Sequence, residues 1–218
     1  MASRRQQQPE RPAPRLYLVT PAPEQLALRP DEVATALEAG DIAAVLMRLG
    51  QGDERTLINR AKALAPLVQK NDAALILAGH PELVVKSGAD GAHLTGIDVF
   101  DEAVGALKPD RIAGTGGLET RHDAMLAAEH GADYVMFGEP DENGERPTFA
   151  AILDRVSWWA EVFETPCVGY AQTLDEVAQL AAVGADFVAI DFVWSDPQGA
   201  AAAVTAAMHR LAAPEPAA

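Results

Sequence analysis

Glu139 stands one glycine beyond a short apolar run, Tyr134 to Phe137, and is followed by Pro140 and a polar stretch, Asp141-Glu-Asn-Gly-Glu-Arg146. A carboxyl group at such a boundary can take a proton from a bound ligand or return one. Apolar walls from Phe137 and Pro140, and a second negative charge at Asp191, are expected to raise its pKa toward that task. A plain loop cap is the competing role for Glu139. Asp191 directly follows Phe187-Val-Ala-Ile190, and Arg48 follows Ile42-Ala-Ala-Val-Leu-Met47. The guanidinium suits a phosphate or carboxylate, or a salt bridge to a neighbour. His80, before Pro81, and His93, inside Gly91-Ala-His-Leu94, read first as packing or hydrogen-bonding residues, and their place on adjacent strand ends adds a ligand-binding role. Thr115, in Ile112-Ala-Gly-Thr-Gly-Gly117, offers a hydroxyl among glycines whose N–H groups can approach an anion, though a flexible turn explains the run equally well. Asp98 can serve as a weak metal ligand holding a metal-bridged diphosphate, or as a helix cap.

These residues need a frame that brings them together, and the hydrophobic pattern supplies one. Strands are predicted at Leu16–Thr20, Ile42–Arg48, Ala74–Leu77, Gly91–Leu94, Arg111–Gly114, Tyr134–Gly138, Cys167–Gly169 and Phe187–Ile190. Helices fill the gaps, near Asp31–Ala39, Asp53–Gln69, Pro81–Ser87, Val99–Leu107, Glu119–His130, Thr148–Phe163, Leu174–Val183 and Pro197–Leu211. Thr120 with Asp123, Thr173 with Glu176, and Asp196 before Pro197 carry helix-start signals. Gly-Ala-Asp recurs at Gly88–Asp90, Gly131–Asp133 and Gly184–Asp186, each time between a helix and a strand. The glycine suits the left-handed residue that ends a helix, and the aspartate is expected to cap the turn into the next strand.

Strand and helix alternating eight times imply a parallel α/β protein. Leu16-Tyr-Leu-Val-Thr20 is followed by Pro21-Ala-Pro23 rather than a glycine-rich dinucleotide turn, so a closed (β/α)8 TIM barrel of one domain is expected, spanning residues 16–211. Residues 1–15 and 212–218 read as disordered fringes. In such a barrel ligands meet the carboxyl ends of the strands. Thr20, Arg48, Gly79-His80, His93 to Asp98, Thr115, Glu139, Gly169-Tyr170 and Asp191 then share one face, with Gly169 among the substrate-binding candidates.

Composition narrows the partners. Seventeen basic against 32 acidic residues give a net charge of −15, which argues against nucleic acid or an anionic membrane as the main partner. A phosphorylated small molecule stays open, because a phosphate site needs only local N–H groups and one or two cations. Arg4, Arg5, Arg11 and Arg15 allow a minor reading as a nucleic-acid arm. Cys167 is the single cysteine, so no disulfide forms within a chain. No run reaches the length of a membrane span and no apolar signal core opens the chain, so a cytoplasmic protein is expected. The adjacent Trp158 and Trp159 cannot both face one core easily, which suggests a homodimer.

Between Leu16 and Leu211 the chain resembles the thiamine phosphate synthase and thiazole tautomerase superfamily. The resemblance rests on Leu-Tyr-Leu-Val-Thr20, Arg48 ending the second strand, Gly-Ala-Asp-Gly-Ala-His-Leu94 with Asp98 beyond it, Gly114-Thr115, and Gly-Ala-Asp-Tyr-Val-Met-Phe-Gly138. It implies a (β/α)8 barrel and phosphorylated thiazole or pyrimidine ligands. For the synthase it implies Mg-assisted loss of diphosphate as pyrimidine and thiazole join, and no other cofactor. Several family positions differ. A Gln-x-Arg-x-Lys run reads Leu46-Met-Arg-Leu-Gly50, an Asn-Asp pair reads Ala78-Gly79, and a Gly-Gly phosphate turn reads Gly169-Tyr-Ala-Gln172. Asp98 alone remains of two metal carboxylates, and Thr115 replaces a serine while keeping a catalytic hydroxyl. Mg binding is therefore doubtful. The tautomerase branch moves protons with a histidine at the position of Glu139. The readings are a divergent synthase relative, a tautomerase using Glu139, and a non-catalytic binding or regulatory barrel.

Overall fold

The computed structural model describes residues 12–141 and 143–213. Eight parallel strands close into a barrel in the order of the sequence: β1 (Arg15–Val19), β2 (Ile42–Met47), β3 (Ala74–Ala78), β4 (Gly91–Thr95), β5 (Ile112–Gly116), β6 (Tyr134–Phe137), β7 (Cys167–Ala171) and β8 (Phe187–Ile190). The connecting helices are α1 (Pro30–Glu38), α2 (Glu54–Gln69), α3 (Val84–Ser87), α4 (Ile97–Leu107), α5 (Arg121–Glu129), α6 (Phe149–Val162), α7 (Leu174–Ala182) and α8 (Ala200–Ala212). The expected (β/α)8 TIM barrel is the fold. Residues 1–11 and 214–218, including Arg4, Arg5 and Arg11 of the expected tail, lie outside the described residues. Arg15, assigned to that tail from sequence, instead opens β1.

Strand periodicity divides the core into two layers. Tyr17, Val19, Leu46, Ile76, Met136, Val168 and Tyr170 point into the barrel, while Leu16, Leu18, Val45, Val135 and Ile190 pack outward on the helices. Helix starts follow local chemistry. Asp53 accepts from Thr56 N at 2.8 Å, and Thr120 with Asp123 forms a reciprocal capping box at α5. At the eighth helix the expected start shifts. Phe192–Ser195 forms a short 3-10 turn, and α8 begins only after Gly199.

The Gly-Ala-Asp repeats do more than close helices. Their glycines have φ of 79°, 97° and 95°, a turn that side chains with a Cβ resist. Each aspartate then reaches sideways to the neighbouring strand rather than capping its own turn. Asp90 accepts from Leu75 N of β3, Asp133 from Ala113 N of β5, and Asp186 from Cys167 N of β7, each at 2.8 Å. Alternate strand pairs are thus clasped at their amino ends. Across β1 and β2 the clasp is Arg15, whose Nη2 lies 2.7 Å from Asp41 Oδ1 and 3.2 Å from the Ile42 carbonyl.

Both tryptophans of the pair find places within the chain. Trp159 is buried and donates to the Thr165 carbonyl at 2.7 Å. Trp158 is half-buried, edge-on to Trp159 and Phe163, with the Arg121 guanidinium 4.6 Å above its ring. Trp159 thus faces the core while Trp158 packs within the chain on one side and keeps part of its ring at the surface. No helix among the described residues is long and apolar enough to cross a membrane.

Candidate functional site

The carboxyl ends of the strands surround a cavity of about 530 Å³ lined by both apolar and charged groups, among them Leu46, Arg48, Ala78, His93, Glu139 and Asp191. Its best-defined feature is a buried pair. His93, pointing inward from β4, places Nε2 2.7 Å from Glu139 Oε2, and the side chains are 3% and 13% exposed. Gly138, with φ of 90°, turns the chain at the end of β6 so that the next side chain bends back over the barrel. Glu139 Oε1 is held more loosely, by the Thr95 hydroxyl at 3.4 Å.

Glu139 departs from the expected pKa direction. Burial pushes its carboxyl up, but the adjacent His93 ring and its hydrogen bond, then Arg48 and Thr95, outweigh that penalty and hold it below the usual value. The physical reason is the neighbour. Asp191 is not among the groups that move it, and that carboxylate accepts from the Tyr170 hydroxyl at 2.6 Å. Burial, the Asp191 charge and that hydrogen bond push the Tyr170 phenol upward, so it stays a donor.

Beneath the pair runs a hydrogen-bonded column. His93 Nδ1 lies 2.9 Å from the Tyr134 hydroxyl, which lies 2.7 Å from the Tyr17 hydroxyl. Both phenols are buried and pushed upward by that burial. The glycines of β5 make room for the column. A Cβ at Gly114 would overlap the Tyr134 ring, and one at Gly116 would overlap the Glu139 carboxylate and come within 2.9 Å of His93 Nε2. Neither tyrosine was a sequence candidate. The available signal was a polar aromatic at an inward position of an apolar strand, which ordinary core packing would also produce.

Arg48 stands at the end of β2, half-buried, its backbone N–H donating to the Thr20 hydroxyl at 3.1 Å. Its guanidinium contacts the Tyr170 hydroxyl, and no salt bridge holds it among the described residues. The loop after β6 is latched by Arg146, which pairs with Glu176 at 2.7 Å and donates to the Tyr170 carbonyl at 3.3 Å. That latch was also absent from the sequence reading.

Four sequence candidates fall elsewhere. Thr115 is fully buried with its hydroxyl donating to the Leu94 carbonyl at 2.9 Å, and β5 extends past it to Gly116, so its side chain faces the helix layer with Ala113. Gly169 also faces outward, where a Cβ would come within 2.6 Å of Leu180 Cδ2, so the glycine serves close packing of α7. His80 turns to Glu82 at 3.1 Å and does not line the cavity. Asp98 lies exposed in the first turn of α4, also outside the lining.

The donor set does not fit a protein-built Mg²⁺ site. Among the described residues no group of three His, Cys, Asp or Glu side chains converges on one point. Glu139 and Asp191 each have a hydrogen-bonding partner, and Asp98 lies outside the cavity lining.

Fold and cavity together define a (β/α)8 barrel with a cavity of mixed polarity at the carboxyl ends of its strands, where parallel barrels bind ligands. A family model for thiamine monophosphate synthase matches residues 16–191, and the chain belongs to that family. It is similar to a thiamine-phosphate synthase of Rhodospirillum centenum, 40% identical over 195 residues, covering 87% of this chain and 94% of that one. A thiamine-phosphate synthase of Hyphomonas neptunium is 36% identical, covering 90% and 93%. The fold matches a solved thiamine phosphate pyrophosphorylase from Pyrococcus furiosus with a TM-score of 0.76, 20% identity and coverage of 91% and 95%.

Proposed function

We propose that this barrel acts in thiamine-related metabolism as a proton-transfer enzyme, on a small heterocycle that carries a phosphate or carboxylate. The observation that carries the reading is the His93–Glu139 pair at 2.7 Å in the cavity wall. Glu139 Oε2 is taken by His93, so Oε1 is the oxygen left to accept a proton from the ligand and return it. Arg48, in no salt bridge among the described residues, supplies the charge for the ligand's anionic group. The thiazole phosphate carboxylate of the tautomerase branch satisfies both requirements. The open polar cavity speaks against a barrel mouth filled by its own apolar side chains, as the non-catalytic reading would require.

Coupling of pyrimidine diphosphate to thiazole phosphate is the second reading, favoured by the 40% identity to a thiamine-phosphate synthase. Against it, Leu46 and Ala78 line the cavity where the resemblance calls for the amide side chains of Gln and Asn. The test is to incubate the purified chain with aminopyrimidine methyl diphosphate, thiazole phosphate and Mg²⁺, and separately with the non-aromatic thiazole carboxylate phosphate, and to identify products by mass spectrometry and ultraviolet absorbance. Aromatisation without coupling is expected. Efficient coupling would replace the first reading with the second, and neither product would favour a binding protein.

A further inference from the structure

The column under the catalytic pair has a direction set by counting protons. Tyr17 O–H, Tyr134 O–H and His93 Nδ1 share two hydrogen bonds, at 2.7 and 2.9 Å. If Nδ1 carries a proton, three protons compete for two bonds and one is left in the apolar barrel interior beside Val19, Ile76 and Met136. If Nδ1 is bare, two protons fill two bonds: Tyr17 donates to Tyr134, and Tyr134 donates to His93. A buried donor without an acceptor is costly, so the second arrangement wins. The remaining ring proton then lies on Nε2, 2.7 Å from the Glu139 carboxylate.

We propose that Tyr134, oriented by Tyr17, is a positioning residue that locks His93 in the Nε2–H tautomer and so gives the His93–Glu139 pair a fixed polarity. The inference deepens the proton-transfer reading and uses its site. With Nδ1 occupied from below, His93 cannot turn a free nitrogen to the ligand and acts through Glu139 alone. Glu139 Oε1 is thereby the atom that meets the ligand. The β5 glycines support the arrangement, since a side chain at Gly114 would displace Tyr134 and one at Gly116 would displace Glu139 and His93. The groups facing His93 are Tyr134 and Tyr17 from inside, and Glu139 with the Thr95 hydroxyl and, farther off, Arg48 from the mouth.

The experiment is long-range ¹H–¹⁵N correlation on the full chain labelled with ¹⁵N-histidine at neutral pH, with His93→Gln identifying the His93 signals. A bare Nδ1 and a protonated Nε2 are expected in the unaltered chain, whether or not it turns over any substrate. Because the Glu139 carboxylate also demands a donor at Nε2, Tyr134 is tested in Glu139→Gln, whose amide can accept or donate. That variant is expected to keep the Nε2–H tautomer, and adding Tyr134→Phe is expected to lose it, the Nδ1 and Nε2 signals moving toward the averaged values of exchanging forms. Tyr17→Phe keeps one proton for one bond and is expected to retain the tautomer. A protonated Nδ1 in the unaltered chain overturns the proposal even if the variants do not fold, and so does a folded Glu139→Gln, Tyr134→Phe double variant whose His93 pattern equals that of Glu139→Gln alone. Absence of both product types alongside the expected tautomer would sink the enzymatic reading and leave this one standing.

Discussion

The two ends of the barrel use the same functional group for opposite purposes. At the amino end, Asp90, Asp133 and Asp186 each give one oxygen to a backbone N–H group of an adjacent strand, at 2.8 Å. At the carboxyl end, Glu139 and Asp191 bond to side chains, His93 at 2.7 Å and Tyr170 at 2.6 Å. A carboxylate bound to a backbone N–H fixes chain geometry. One bound to an imidazole or phenol sits in a network that can rearrange when a ligand arrives. The comparison therefore separates stability from chemistry along the barrel axis, as parallel barrels generally do.

Glu139→Gln tests the chemical end. It keeps the shape and a hydrogen bond to His93 but removes the titrating proton. The rate of whichever reaction the unaltered chain performs should fall by about 10²–10⁴, with the unfolding midpoint in urea little changed. A matching loss of stability without loss of rate would make Glu139 a structural residue like the aspartates below. Asp186→Ala is the converse experiment. It strands the Cys167 N–H at the start of β7, and should lower the unfolding free energy by about 1–3 kcal/mol while leaving the rate per folded molecule alone. Asp90→Ala and Asp133→Ala, at separate strand pairs, should add to it.

The difference in legibility between the ends has a physical origin. The clasps repeat, so Gly-Ala-Asp announces itself three times in the sequence. Even then its partner was misassigned, because the aspartate binds a strand that precedes it in the chain. The upper network has no repeat, since Tyr17 comes from β1, His93 from β4, and Tyr134 and Glu139 from β6 and its tip, and they meet only after closure. Glu139, His93, Arg48 and Asp191 were visible as polar groups after apolar runs. Thr115 and Gly169 were misplaced for one shared reason. Glycine is rare in strands, so β5 and β7 were ended at Gly114 and Gly169, whereas they continue to Gly116 and Ala171. Inside a strand, alternation sends both residues outward.

The column of phenols adds a pH test that distinguishes the interior from both ends. Burial raises the folded-state pKa of Tyr17, Tyr134 and Tyr170 above the ordinary value of 10.0. A group raised on folding stabilises the protein fully below its unfolded pKa and loses that contribution as the pH climbs above it. Stability should thus hold up to about pH 10 and then decline, each tyrosine adding at most about 1.4 kcal/mol per pH unit. Urea unfolding at pH 9 and pH 11 measures the decline, and Tyr134→Phe should make it shallower. A decline of equal slope in that variant would place the titration elsewhere.

Thr115→Val carries the smallest change and decides a residue on which sequence and structure disagree. As the counterpart of a family serine, Thr115 would be expected to touch substrate, and its loss would then slow the reaction. Its position within β5 argues otherwise. The hydroxyl is fully buried, donates to the Leu94 carbonyl at 2.9 Å and points toward the helix layer, on the opposite side of the strand from Gly114 and Gly116, which border the column. Valine matches threonine in shape and in its preference for strands, so the barrel loses one neutral hydrogen bond and gains no cavity. The expected result is a loss of about 1 kcal/mol in unfolding free energy, with unchanged rate and unchanged affinity for a phosphorylated thiazole. A drop in rate at unchanged stability would mean that β5 turns over at its tip when ligand binds. That would bring the Thr115 hydroxyl into the mouth and make β5, rather than the tip of β6 alone, part of the chemistry.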